Sequence, residues 1–126
     1  MYADNKGQKG AVLIIEDEPS VADALRIILE DSGYRVSVAI TGRDGIEESL
    51  RGDFCLVITD VGLNDMTGFD VIAAVCEHKP GMHFIIITSS SSKEVLAKAG
   101  SCGAVGVLLK PFPPAEILQL IKTTLA

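Results

Sequence analysis

A chain of 126 residues, 48% hydrophobic and 22% charged, has room for one buried core and no second domain, and its composition excludes a disordered or fibrous protein. Aromatics at 5% and the absence of tryptophan require that core to be aliphatic. Eleven basic against seventeen acidic residues give a net charge of −6, and the basic residues are scattered singly, so direct contact with nucleic acid or an anionic membrane surface is not expected.

In chain order, residues 1–10 are polar and lack the apolar segment of a signal peptide, and they read as a flexible N-terminal segment before a folded domain over 11–126. Residues 11–15 (AVLII) are an all-apolar, β-branched run that reads as a strand and ends in Glu16-Asp17-Glu18. Val21, Leu25, Ile28 and Leu29 then form a helical stripe, Arg35–Ala39 a weaker alternating strand, and Ile46 with Leu50 a second helix. Cys55–Thr59 predicts a third strand, followed at once by Asp60. Phe69, Ile72, Ala73 and Cys76 mark a third helix, and Phe84–Thr88 a fourth strand. Ser91-x-x-Glu94 is a capping-box pattern opening a helix that stops near Gly100, where a residue free to take positive φ suits a helix end. Val105–Leu109 predicts the fifth strand, closed by Lys110-Pro111. Pro113 and Pro114 fit only at a helix start, and Ile117, Ile121 and Leu125 make the last stripe, with Leu120 expected to face outward.

Strand and helix thus alternate five times. Continuous apolar strands need cover on both faces, so the pattern predicts a doubly wound α/β domain with a parallel sheet and its ligand site at the carboxyl ends of the strands. No apolar stretch approaches the roughly 18 residues of a spanning helix, so a cytoplasmic location is expected. Cys55, Cys76 and Cys102 are odd in number and far apart, and they read as buried thiols rather than as a disulfide or zinc framework.

The chemistry gathers at the strand ends. Glu16-Asp17-Glu18 and Asp60 would converge on one crevice, where uncompensated like charges raise each other's pKa. A cation resolves that conflict, and oxygen-only ligands suit Mg2+. The triplet could equally be a solvated acidic turn favourable to the helix that follows, and Lys110 a plain surface ion pair. With Thr88 and Lys110 closing neighbouring strands, however, an acidic metal pocket, a nucleophilic carboxylate, a hydroxyl and an ammonium share that crevice. Such a set suits phosphoryl transfer to a carboxylate.

These residues carry a family resemblance. The order and spacing of Glu16-Asp17, Asp60, Gly68 eight residues beyond it, Thr88 and Lys110-Pro111-Phe112 resemble the response-regulator receiver domain of bacterial two-component systems, close in size to stand-alone chemotaxis-type receivers. The resemblance spans about Ala11 to Leu125 and implies a flavodoxin-like sheet in the order 2-1-3-4-5. It implies that Asp60 accepts a phosphoryl group from a sensor histidine kinase or a histidine phosphotransfer protein, with slow self-dephosphorylation rather than enzymatic turnover. Asp17 and Asp60 would ligate Mg2+, with Glu16 acting through a water and the carbonyl of Gly62 as a further ligand. Lys110, joined to Pro111 by a cis bond, would bind a phosphoryl oxygen, and Thr88 would close onto the phosphoryl group. Output would pass through the face made by helix four, strand five and helix five to a partner or attached domain.

Three positions depart from the family pattern. Asn64 stands where a proline is usual, which should loosen the loop after the third strand; Val107 replaces the usual aromatic switch; Ser89 replaces a common alanine. Two other readings share the architecture. A flavodoxin-like cofactor binder needs a phosphate-holding loop after the first strand, where Glu16 to Glu18 would repel one. A Mg2+-dependent phosphatase with an aspartyl nucleophile would want a second acid at position 62, which is Gly. His78 and His83 read as solvated surface residues, and Met66 and Phe69 as core or loop anchors.

Overall fold

The sheet is built from the five apolar runs. A computed structural model describes residues 9–125, so the expected flexible N-terminal segment lies outside the described residues except for Lys9 and Gly10. The elements are β1 (Ala11–Ile15), α1 (Pro19–Asp31), β2 (Arg35–Ala39), α2 (Gly42–Arg51), β3 (Leu56–Asp60), α3 (Gly68–Cys76), β4 (Phe84–Thr88), α4 (Lys93–Ser101), β5 (Gly106–Leu109) and α5 (Pro114–Leu125). All strand pairs are parallel, in the order β2-β1-β3-β4-β5, which is the architecture expected from the sequence.

Successive side chains of a strand point to opposite faces, and here both faces are covered. Val12, Ile14, Leu56, Ile58, Ile85 and Ile87 meet Leu25 and Leu29 of α1 and Ile117 and Ile121 of α5 on one side. Leu13, Ile15, Val57, Phe84 and Ile86 meet Val71, Ile72 and Val75 of α3 and Ala99 of α4 on the other. The two edge strands, β2 and β5, are less buried, which explains the alternation read in β2 and leaves Leu109 exposed in β5. Among the described residues no helix is long and apolar enough to cross a membrane.

Several local expectations are corrected. The third strand runs one residue further than predicted and takes in Asp60, because Asp60 still pairs in register with Ile87. On α3, Val71 and Val75 are buried while Ala73 is exposed, since a helix apolar nearly all round does not reveal its inner face by periodicity. The cap of α4 is Ser92, whose side chain accepts from the Val95 N–H, not Ser91. The helix does stop near Gly100, at Ser101, but the left-handed residue is Gly103, with φ of 92°, and not Gly100. Leu120 packs inward against Gly106 of β5. The cysteines are free but half-buried. Pro114 begins α5 as expected, His78 and His83 are exposed, and Phe69 is buried.

Candidate functional site

Parallel register brings the chemistry together. Ile15 pairs with Thr59, so Glu16 and Asp60 stand one step further along adjacent strands; Thr88 pairs with Leu109, so Lys110 comes next on the far side. The first turn of α3 lies directly against the end of β3, where a Cβ on Gly68 would run into the carbonyl oxygen of Asp60. Only glycine fits there.

Glu16 is fully buried, and its carboxylate accepts from the backbone N–H of Glu18 at 3.1 Å and from Lys110 Nζ at 2.9 Å. Lys110 Nζ also donates to Asp60 Oδ2 at 3.0 Å and lies 3.7 Å from Glu18 Oε1. The Lys110–Pro111 bond is cis. Asp60 is buried, and its Oδ1 lies 3.4 Å from the Gly62 N–H. One carboxylate oxygen from each of Glu16, Asp17 and Asp60 falls within 4.8 Å of the others, with Asp17 half-buried at the mouth. Thr88 is buried in the neighbouring strand end. Its Oγ1 accepts from the Ser90 N–H at 3.0 Å instead of bonding to the acidic cluster.

The electrostatics follow from this geometry. Burial pushes the Glu16 carboxyl above the ordinary value of 4.5, against the pull of Lys110 and the Glu18 N–H, and the charge of Asp60 adds to the rise. Burial works to lower the Lys110 ammonium, but its hydrogen bonds to Glu16 and Asp60 outweigh it and raise the pKa. Glu16, Glu18 and Asp60 lie around one lysine and Asp17 adds a fourth acid beside Glu16 and Asp60, so the crevice keeps a negative excess in oxygen donors. That is the donor chemistry of a hard divalent cation, and the residues present fit Mg2+.

The loop after β3 is tied down more firmly than Asn64 suggested. Gly62 bridges to Thr67, and the Gly68 N–H donates to Val61 O at 2.8 Å. Thr67 and Asp70 form a reciprocal capping box, and Asp65 reaches across to the start of α2. Thr67-x-x-Asp70 is a pattern that sequence reading could have found and did not. Asp65 carried no such signal, because its partners are more than twenty residues upstream.

Comparison with known proteins bears on the whole arrangement. A family model described as the response regulator receiver domain matches residues 12–122. The transcriptional regulatory protein CusR of Escherichia coli K12 is 32% identical over 114 residues, covering 90% of this chain and 50% of that protein. DltR of Streptococcus agalactiae is 34% identical over 111 residues, covering 88% and 50%. The chain thus spans about half the length of these curated relatives. A CheY-like receiver domain from Methanospirillum hungatei superposes with a TM-score of 0.87 at 31% identity, covering 91% of this chain and 92% of that one. The chemotaxis regulator CheY4 of Vibrio cholerae gives 0.84 at 30% identity, covering 90% and 96%.

Proposed function

The chain belongs to the response regulator receiver domain family of two-component signal transduction, and from that premise we propose that Asp60 is its phosphoacceptor. The observation that carries the proposal is the seat of Lys110. An ammonium has three N–H donors; two are taken by Glu16 and Asp60, and Glu18 at 3.7 Å is beyond hydrogen-bond reach, which leaves one for an incoming phosphoryl oxygen.

Glu16, Asp17 and Asp60, with the carbonyl of Gly62, would hold Mg2+, which when bound neutralises charge on the transferring group. An Asp60 oxygen attacks phosphorus in line as the P–N bond of a phosphohistidine breaks, and the imidazole departs with the bonding pair. Lys110 keeps its hold on Glu16 while pairing with a phosphoryl oxygen. Thr88 exchanges its contact with the Ser90 N–H for one to another phosphoryl oxygen. The donor is a sensor histidine kinase or a histidine phosphotransfer protein, and the compartment is the cytoplasm.

Output is proposed to leave through α4, β5 and α5. Leu96 on α4 is 45% exposed, Val105 just before β5 is 43% and Leu109 on β5 is 44%, an apolar set on that side of the fold that suits a protein partner or an attached domain. The net charge of −6 supports an effect on transcription through such an output rather than by direct contact of this domain with nucleic acid. Nothing in the site favours a cycling phosphatase: position 62 carries no second acid.

Incubation with a small acyl phosphate and Mg2+ tests the assignment by intact mass. One phosphoryl group is expected on the wild type, and none on Asp60→Asn or in the presence of a chelator. Equal labelling of the variant would overturn it, and steady turnover of a phosphomonoester would favour the phosphatase.

A further inference from the structure

The first N–H groups of a helix have no acceptor within the helix and must find one elsewhere. In α2 the Gly45 N–H makes the first regular helical bond, to the Thr41 carbonyl at 2.9 Å, and of the three orphans Gly42 to Asp44 before it the Asp44 N–H is taken by the Thr41 side chain at 3.0 Å. The remaining two are taken from outside. Asp65 Oδ1 accepts from the Gly42 N–H at 2.8 Å and Oδ2 from the Arg43 N–H at 3.0 Å, so both oxygens of one carboxylate are committed to a helix that precedes it by more than twenty residues. The same carboxylate sits at the positive end of the α2 dipole, and the two N–H donors hold its pKa below the usual 3.8. Beside it, Met66 is half-buried against Gly42, where a Cβ would collide with the methionine side chain.

The loop so clamped is the one that carries Gly62. Gly62 itself is exposed, and a Cβ built on it meets nothing within 4 Å, so no packing on the residue keeps it in place. Besides the 3.4 Å contact of its N–H with Asp60 Oδ1, what restrains it are ties to either side: the bridge to Thr67, the Gly68–Val61 hydrogen bond and the Asp65 clamp. The first two close the loop upon itself. Asp65 is the polar tie that refers the far half of the loop to α2, as the Val61 N–H bond to Ile87 O at 3.0 Å refers its start to β4.

We propose that Asp65 is a positioning residue for the acceptor site: by clamping the 61–67 loop to the N-terminus of α2, it holds the Gly62 carbonyl ready for Mg2+. This rests on the reading of Glu16, Asp17, Asp60 and Gly62 as the ion's ligands. The coupling is reciprocal, since whatever the clamp contributes to metal binding, metal binding returns to the clamp. Mg2+ should therefore slow hydrogen exchange at the Gly42 and Arg43 amides, which belong to no ligand.

The experiment is a titration with MgCl2 followed by backbone amide shifts, with amide hydrogen exchange measured with and without the metal, on the wild type and on Asp65→Ala, Asp65→Asn and Thr41→Ala. Residues outside the first coordination shell are commonly worth about 10- to 100-fold in metal affinity. Asp65→Ala should weaken Mg2+ about tenfold and abolish the metal-dependent protection at Gly42 and Arg43, and Asp65→Asn, which keeps one acceptor oxygen, should fall between. Thr41→Ala removes a different cap of the same helix, so it should lower the melting temperature while leaving Mg2+ affinity within about twofold. Unchanged affinity in Asp65→Ala would overturn the inference, as would an equal loss in Thr41→Ala, because helix stability alone would then be responsible. A wild type that binds no Mg2+ would overturn the ligand assignment itself and this inference with it. If Asp65→Ala does not fold, Asp65→Asn set against Thr41→Ala decides the same question.

Discussion

Replacing Lys110 with methionine should destabilise the protein by an amount that depends on pH in a defined direction. Methionine fills much of the lysine stem's volume but leaves Glu16, fully buried, with only the Glu18 N–H as partner. Breaking a buried pair by removing one member costs about 3–5 kcal/mol, because the remaining charge is uncompensated. Glu16 can escape part of that penalty by taking a proton. Keeping a glutamate of ordinary value 4.5 protonated at pH 7 costs about 3.5 kcal/mol, at roughly 1.4 kcal/mol per unit.

The sign follows from linkage. A carboxyl whose pKa is higher folded than unfolded makes the unfolded state bind fewer protons, so stability falls as pH rises above the unfolded value. Glu16 is already raised in the wild type, so the variant should trail it by at most about 3.5 kcal/mol at pH 7 and by under about 1 kcal/mol at pH 5. Urea denaturation followed by far-ultraviolet circular dichroism at both pH values, with a chelator present, measures the gap. A gap that stays constant, or grows toward pH 5, would refute the reasoning.

Lys79 donates from Nζ to the carbonyls of Ser49 and Gly52, both at 2.8 Å, at the C-terminal end of α2; Lys79→Met should cost about 1–2 kcal/mol and lower the melting temperature by about 5 °C, without altering phosphorylation at Asp60. The lifetime of the aspartyl phosphate should be intermediate, since Gly62 and Ser90 are both small; Gly62→Met, whose side chain would enter open space, and Ser90→Leu should each lengthen it by obstructing water. Loss of phosphoryl mass over time checks this, and unchanged or faster decay in both variants would show that water access there is not limiting. With Val107 in place of an aromatic switch, and Ala99 the one buried residue of α4, a phosphoryl mimic should shift amides through Thr88, 89–92 and α4. Shifts confined to the Asp60 loop would refute that relay.

The interior strands and the chemistry at their ends were legible because their signals are local. A strand covered on both faces must be apolar at every position, and AVLII, LVIT and FIIIT leave little else for those residues to be. Polar residues that end such runs stand at the carboxyl edge of the sheet by topology alone, which is why Glu16, Asp60, Thr88 and Lys110 are legible in the sequence. Helix detail was less legible. Ser91 and Ser92 are chemically equivalent caps, and it is the Ser92 side chain that meets the Val95 N–H. Leu120 lies off the stripe of α5, yet the gap above Gly106 draws it inward.

Tertiary structure alone decided the polar ties between elements. Asp65 on Gly42 and Arg43, and Lys79 on Ser49 and Gly52, join residues 22 to 30 positions apart, and neither the acid nor the lysine differs in sequence from a solvated surface charge. Backbone donors and acceptors exist at every helix end, so their mere presence carries no information. What makes one of them a partner is the distance set when α2 docks beside α3, and that distance depends on side-chain volumes throughout the lower core, Met66 against Gly42 and Ile15 against Gly45 among them. The local run of apolar residues determined which strands are buried and which end of the sheet holds the chemistry; the close packing of two helices determined how rigidly that chemistry is held.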